Sequence, residues 1–154
     1  MRDEGDATAT VVGGMDRELS ERLDQELLDF NTRATGIGDQ RGLSVRVADA
    51  DGLVAGLTGW TWGTCARIEL VWVRGDQRRR RIGHHLLEAA EAEARARGCT
   101  QILVSSMTFQ APDFYKRHGY VEFGRTEGIP TSGCAEVHMV KALHDLEGEA
   151  SERR

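Results

Sequence analysis

The 154-residue sequence has few cysteines, few prolines and no long apolar run, and each shortage excludes a class of protein. Its three cysteines are an odd number without Cys-x-x-Cys spacing, which argues against a disulfide framework or a zinc site. With two prolines and 40% apolar residues, the chain is neither collagen-like nor disordered. Its apolar runs are far shorter than the ~20 residues that span a membrane. We therefore expect a soluble, cytoplasmic, single-domain protein with no membrane partner.

Acidic residues outnumber basic residues in the chain, but basic residues are concentrated at one place. The net charge of -5 argues against a nucleic-acid partner. Residues 74–81 nevertheless contain five arginines and one aspartate, and four of the arginines are consecutive. Such a cluster in an acidic protein predicts a site for a specific anion, although a solvated charged face is the alternative.

Hydrophobic spacing and turn residues predict the order α, β-β-β, α, β, α, β, β. This order is typical of an α/β protein with a mixed central sheet, an antiparallel N-terminal meander and helices on both faces. Residues 1–14 and 145–154 are polar and are predicted as tails, which leaves 15–144 as the folded domain. The predicted helices begin at 16, 82 and 111, and the predicted strands are 43–48, 53–62, 66–73, 102–104, 120–124 and 135–140.

The most informative stretch is a strand that leads through the arginines into a helix. The strand ends in Val71-Trp72-Val73 and the helix opens with Ile82-Gly83. Free N–H groups and the positive helix end at such a junction bind phosphate, and arginines add charge-assisted contacts. The stretch resembles the acyl-CoA-binding motif Gln/Arg-x-x-Gly-x-Gly/Ala of the GNAT superfamily of N-acetyltransferases. Arg78 matches its first position and Gly83 its last, whereas Arg81 replaces its first glycine.

A second motif follows in the order that the family has. Residues 111–120, Ala-Pro-Asp-Phe-Tyr-Lys-Arg-His-Gly-Tyr, are similar to the family segment Ala-x-x-Phe-Tyr-x-x-x-Gly-Phe/Tyr. The resemblance covers about residues 16–143. It implies a GNAT-like fold, acetyl-CoA as co-substrate, and transfer of the acetyl group to a primary amine by direct attack in a ternary complex. The acceptor would be a small-molecule or peptide amine, and a homodimer is left open.

The resemblance also implies site residues. Tyr115 matches the tyrosine that often protonates the departing CoA sulfur, and its alternative is a core aromatic beside Phe114. The acetyl carbonyl is polarised in the family by a backbone N–H of the strand that ends at Val73, without the sequence fixing which one. The implied cofactor-binding residues are Val71, Trp72, Val73, Arg78, Arg79, Arg80, Arg81, Ile82, Gly83 and His84.

Glu69 is the first choice for the general base, because some family members use a glutamate on this strand. Strand alternation directs its side chain away from Ile68 and Leu70, and its apolar neighbours predict that it is buried. A structural pairing with Arg67 or with a cross-strand partner is the alternative. We expect no metal site, because His84 and the next histidine lack acidic or thiol companions at useful offsets.

Two further questions stay open in the sequence. Trp60 and Trp62 share one strand face and form either a wall of the acceptor pocket or a core or interface stripe. The altered loop also allows a protein that has lost catalysis, a non-catalytic acyl-CoA-binding or RNA-binding module. Saturable binding of acetyl-CoA without turnover on any amine would favour that module.

Overall fold

A computed structural model describes residues 9–78 and 80–143 of the chain. It confirms the predicted order of three helices and six strands. The remaining residues, which include Arg79 and most of both predicted tails, lie outside the described residues. Within the described residues, no helix has both the length and the apolar character needed to cross a bilayer. The elements are α1 (Arg17–Thr35), β1 (Arg41–Asp49), β2 (Gly52–Trp62), β3 (Cys65–Val73), α2 (Ile82–Ala96), β4 (Gln101–Met107), α3 (Pro112–Arg117), β5 (Val121–Glu127) and β6 (Ala135–Ala142).

The described residues fall into two compact units, the first ending at Gly38 and the second beginning at Asp39. The first unit carries α1. Its N-terminus is capped by the Asp16 carboxylate, which accepts a hydrogen bond from the N–H of Leu19 at 2.9 Å. The helix ends at Gly36, whose φ of 75° is the left-handed conformation that glycine adopts without strain. The boundaries predicted from the apolar spacing are therefore confirmed.

The second unit contains a six-stranded sheet in the order β1-β2-β3-β4-β6-β5. The first three strands form the predicted antiparallel meander. β4 then pairs in parallel with β3, and β6 is inserted antiparallel between β4 and β5. A parallel neighbour needs a crossover connection, and α2 supplies it. The predicted mixed sheet is confirmed.

The core lies on one face of this sheet, where α2 packs against β1, β2 and β3. The stripe of Leu86, Ala90 and Ala94 is buried as predicted. Glu91 is an unexpected member of the buried face, with 6% exposure. Its carboxylate accepts hydrogen bonds from Lys141 Nζ at 2.8 and 3.0 Å and from the Tyr120 hydroxyl at 3.2 Å. These hydrogen bonds compensate the buried charge and connect α2 to β6, the strand that carries Lys141.

Candidate active site at a split between two strands

A cleft opens where β3 and β4 separate. The two strands pair only between Cys65–Arg67 and Gln101–Leu103, and their described residues beyond that point do not pair. The cleft has a volume of about 1100 Å³. We call its two sides the strand side, formed by 68–73 and 104–106, and the helix side, formed by the start of α2 and by α3. Of the predicted site residues that the structure describes, all except Arg80 and Ile82 line this cleft, and Arg79 lies outside the described residues.

A β-bulge shapes the strand side. Thr58 pairs with Leu70 but Gly59 pairs with Ile68, so Glu69 has no partner on β2. Glycine is required opposite the bulge, because a Cβ at Gly59 would lie 2.0 Å from the carbonyl oxygen of Arg67. The bulge breaks the simple alternation that placed Ile68 and Leu70 on one face, and that prediction is wrong. Ile68 is buried, whereas Leu70 is exposed.

Glu69 lies in the cleft wall, and its side chain is exposed rather than buried as predicted. Its Oε1 atom accepts a hydrogen bond from the indole Nε1 of Trp60 at 3.1 Å. The cross-strand pairing considered for Glu69 therefore exists, and it still leaves the carboxylate accessible from the cleft. Trp60 and Trp62 are half-buried and lie outside the core cluster of the described residues, while Trp72 lines the cleft.

The backbone of β3 presents N–H groups to the cleft. The N–H of Arg74 donates to Val54 of β2 at 2.8 Å. Because successive residues of an antiparallel strand alternate in the direction of their N–H groups, Val71 and Val73 direct theirs away from β2 and toward the cleft. The Arg78 side chain approaches on that same side, where its Nε donates to the Val73 carbonyl at 3.2 Å.

The arginine loop, residues 74–81, contains arginines in different environments. Arg74 is bound by two carboxylates, those of Asp49 at 2.9 Å and Asp76 at 2.8 Å. Its guanidinium lowers the pKa of Asp76 to about 2. Arg78 and Arg81 line the cleft instead. Arg74 therefore connects the loop to Asp49 of β1. Arg78 and Arg81 are the arginines whose position in the cleft lining makes them available to an anion.

Arg81 stands at the start of α2 in a conformation that is unusual for its residue type. Its φ of 60° and ψ of 16° are left-handed, and it is the one non-glycine residue with positive φ among those described. A side chain there costs roughly 1–2 kcal/mol relative to glycine. The backbone thus adopts a conformation that favours glycine, although the sequence has arginine.

The start of α2 presents free backbone N–H groups on the helix side. The first intrahelical hydrogen bond runs from the His85 N–H to the Arg81 carbonyl at 3.1 Å, which leaves the N–H groups of 82–84 without intrahelical partners. A Cβ at Gly83 would lie 3.1 Å from the ring of Phe114. Glycine here therefore lets α3 approach the start of α2 closely.

A histidine chain joins α2 to α3. His84 Nδ1 lies 2.9 Å from His118 Nε2, and His118 Nδ1 lies 2.7 Å from the carbonyl oxygen of Phe114. Glu88 lies 3.0 Å from His84 and 3.4 Å from His85. The prediction that these histidines lack an acidic companion is wrong, because Glu88 follows them by one helical turn. The ligand atoms of these three α2 residues lie within 4.8 Å of one another, a donor set that could hold a metal ion.

Tyr115 belongs both to the core and to the cleft. Its side chain is 6% exposed and lines the cleft, and its ring meets those of Phe114 and Tyr120 edge-on at 5.3 and 5.6 Å. Burial raises the pKa of its hydroxyl to about 12. The hydroxyl therefore keeps its proton at neutral pH and can donate it to a strongly basic group. The two roles considered for Tyr115 are compatible.

Comparison with known proteins identifies the family. Residues 41–122 match the family model described as an acetyltransferase (GNAT) domain. The chain belongs to the GNAT acetyltransferase family. Among curated proteins, it is 31% identical to an acetyltransferase of Agrobacterium fabrum, over 71% of this chain and 80% of that one. It is 38% identical to the blasticidin-S acetyltransferase of Streptomyces morookaense, over 57% of this chain and 68% of that one.

Solved structures agree with this assignment. A crystal structure described as a putative acetyltransferase from Agrobacterium tumefaciens superposes with a TM-score of 0.80 and 26% identity, covering 88% of this chain and 99% of that one. The resemblance and the fold class stated from the sequence are thereby confirmed. Because the relatives are named acetyltransferases, the comparisons support a GNAT enzyme rather than a non-catalytic module.

Some residues of the cleft were missed by sequence reasoning. The spacing from Phe114 to His118 is one helical turn and could have indicated the hydrogen bond between the His118 ring and the Phe114 carbonyl. Ser105 lies one residue beyond the predicted strand 102–104, whereas the structure places it on β4, where it lines the cleft. His138 was not considered at all, because its link to Ser105 depends on the insertion of β6 beside β4.

Proposed function

We propose that this GNAT enzyme transfers the acetyl group of acetyl-CoA to a primary amine, by direct attack of the amine in a ternary complex. The observation that carries the proposal is the split between β3 and β4, with a helix start that has free N–H groups on one side and an exposed carboxylate on the other. A thioester and an amine entering from the two sides would meet inside the cleft. No covalent enzyme intermediate is required.

On the helix side, the phosphates of acetyl-CoA would bind at the start of α2. The N–H groups of Ile82, Gly83 and His84 would donate to them, because the positive helix end favours anions. Arg78 and Arg81 would add charge-assisted bonds. Arg79 and Arg80 stay predictions of the family motif.

Between the two sides, backbone and hydroxyl groups would carry the chemistry. The Val71 N–H would polarise the acetyl carbonyl, since it points into the cleft. The N–H and carbonyl of Val73 would face the pantetheine arm, with Trp72 forming the wall. Tyr115 would give its proton to the departing CoA sulfur, because its protonated hydroxyl lines the cleft.

On the strand side, Glu69 would receive the ammonium group of the acceptor. It is exposed in the cleft wall and is held by Trp60, so its charge is available to a cation. This favours a cationic small-molecule amine, in line with the blasticidin-S specificity named for one relative. A cytoplasmic location stays a prediction.

The test is mass spectrometry of reactions that contain the purified protein, acetyl-CoA and a panel of cationic amines, blasticidin S included. We expect an acceptor whose mass rises by one acetyl group, together with release of free CoA. A matched reaction with the Tyr115→Phe variant should be much slower. Binding of acetyl-CoA without transfer to any amine would contradict the proposal.

A further inference from the structure

A hydrogen-bonded chain runs from the cleft to the edge of the sheet and is not used by the functions described so far. Ser105 on β4 lines the cleft, and its Oγ lies 2.9 Å from Nδ1 of His138 on β6. His138 Nε2 lies 2.8 Å from Oγ1 of Thr126 on β5, which is exposed. The inserted position of β6 creates the chain, because it places His138 between Ser105 and the β5 strand.

Ser105 and Tyr115 enter the cleft from opposite faces of the sheet. Val104 and Ser106, the neighbours of Ser105, are buried on the face that carries α2 and α3. Alternation along β4 directs Ser105 to the other face, which also carries Leu70. An amine approaching over that face would reach Ser105, while the departing thiol would lie nearer Tyr115.

The hydrogen bonds of this chain can run in either direction. Each hydroxyl of the chain can donate or accept, so the chain has two complete arrangements. An ammonium group can only donate, and next to Ser105 it requires an oxygen lone pair. Ser105 Oγ can accept from the ammonium in either arrangement, because it has two lone pairs. A proton can pass to the imidazole only in the arrangement in which Ser105 donates to His138 Nδ1 and His138 Nε2 donates to Thr126.

We propose that Ser105 and His138 form a relay that accepts the proton of the acceptor ammonium, an inference that rests on the proposed N-acetyltransferase function. One N–H bond of the ammonium breaks and its proton passes to Ser105 Oγ, while the hydroxyl proton of Ser105 passes to His138 Nδ1. The imidazole becomes an imidazolium that keeps its bond to Thr126. The freed amine lone pair attacks the thioester carbonyl carbon, the carbon–sulfur bond breaks, and Tyr115 protonates the sulfur. The nitrogen loses its second proton to water as the neutral amide forms. Solvent then returns a proton to the Tyr115 phenolate and takes one from the His138 imidazolium.

The surroundings of His138 favour this role. Ser105 on β4 and Thr126, Gly124 and Phe123 on β5 are uncharged, and the Phe123 ring lies 6.2 Å from the imidazole. Among the described residues of β6, the charged residue on the same face is Glu136, two positions before His138. An imidazole side chain is in general a stronger base than a carboxylate, and it is suited to proton transfer near neutral pH. Glu69 would then bind the ammonium without taking its proton.

The test compares Ser105→Ala, His138→Ala and Thr126→Val on the best acceptor, each as a pH profile of kcat. We expect Ser105→Ala and His138→Ala to lower kcat about 10²-fold at neutral pH, with a rate that climbs toward the wild-type value at high pH where free amine accumulates. The affinity for acetyl-CoA, measured by calorimetry, should stay unchanged. Thr126→Val should have a smaller effect, because it removes only the group that orients the ring.

Two controls keep the test specific. Added imidazole should partly restore kcat in His138→Ala and should not affect His85→Ala, which removes an exposed histidine outside the cleft. Thermal unfolding of each variant shows whether it is folded. If His138→Ala is unstable, the test relies on Ser105→Ala, which is the smallest change. Wild-type pH profiles in both variants would overturn the relay while leaving the proposed function intact. Absence of transfer by the wild-type protein would overturn both.

Discussion

The helix side and the strand side of the cleft are built by different means. The helix side depends on local features: a helix start with free N–H groups, a glycine that lets Phe114 approach, and a tyrosine on a short helix. The strand side depends on pairing between distant segments: the bulge at Glu69 and the Ser105–His138 bond. Local features produce a motif that can be recognised in the sequence, whereas the pairing register of strands does not. The predictions below test whether the first side binds cofactor and the second side handles the acceptor.

The largest effect is expected at Gly83. Gly83→Asp adds a Cβ that meets the Phe114 ring at 3.1 Å and a negative charge at the helix start, where the phosphates would bind. We expect the Kd for acetyl-CoA to rise about 100-fold or more, measured by calorimetry. Gly83→Ala adds only the Cβ and should have a smaller effect. Equal Kd values for wild type and Gly83→Asp would show that the cofactor does not bind on the helix side.

The next effect is expected at the hydroxyl of Tyr115. Tyr115→Phe keeps the ring contacts and removes the proton donor, so kcat should fall about 10²-fold while the Kd for acetyl-CoA stays unchanged. Tyr120→Phe is the matched control. It removes a hydroxyl that binds Glu91 outside the cleft, and it should cost about 1 kcal/mol of stability with little change in kcat. Similar kcat losses in both variants would indicate packing rather than proton donation.

The sequence predicted the helix side well for a physical reason. The order of elements follows from hydrophobic spacing, and the loop-to-helix junction and the Phe-Tyr helix are contiguous segments with their chemistry in one place. Where the sequence departs from the motif, at Arg81, the backbone has the left-handed conformation that favours glycine. The buried Glu91 was missed on this helix, because its partner Lys141 lies fifty residues away.

The strand side was predicted less well because its geometry is set by register. Strict alternation along β3 fails at the bulge, so Glu69 and Leu70 are both exposed, and no local signal apart from Gly59 on the neighbouring strand marks the position. The role of His138 depends on which strand lies beside β4. Only the insertion of β6 brings it to Ser105.

A smaller effect is expected at Glu69, and it distinguishes binding of the acceptor from proton transfer. Because the carboxylate is exposed, its attraction for an ammonium is screened by water, and Glu69→Gln should raise the acceptor KM about two- to fivefold. With the Ser105–His138 relay intact, kcat should change less than KM. Glu93→Gln is the control, since Glu93 pairs with Arg97 on α2 and does not line the cleft. A large fall in kcat that recovers at high pH would instead make Glu69 the base.

The smallest effect is expected at Arg81, where conformation and charge can be separated. Glycine relieves a left-handed strain of roughly 1–2 kcal/mol but increases the entropy of the unfolded chain by roughly 0.5–1 kcal/mol. Arg81→Gly should therefore raise the free energy of unfolding by about 0.5–1 kcal/mol and the Tm by about 2 °C.

Arg81→Ala keeps the strain and removes the same guanidinium, so its Tm should not rise. If the guanidinium contacts phosphate, both variants should weaken acetyl-CoA binding by the same factor, and added salt should shrink that factor. A Tm that rises equally in both variants would show that the side chain, rather than the left-handed backbone, is the source of the strain. Weakened binding in Arg81→Ala alone would show that glycine improves the phosphate site enough to replace the lost charge.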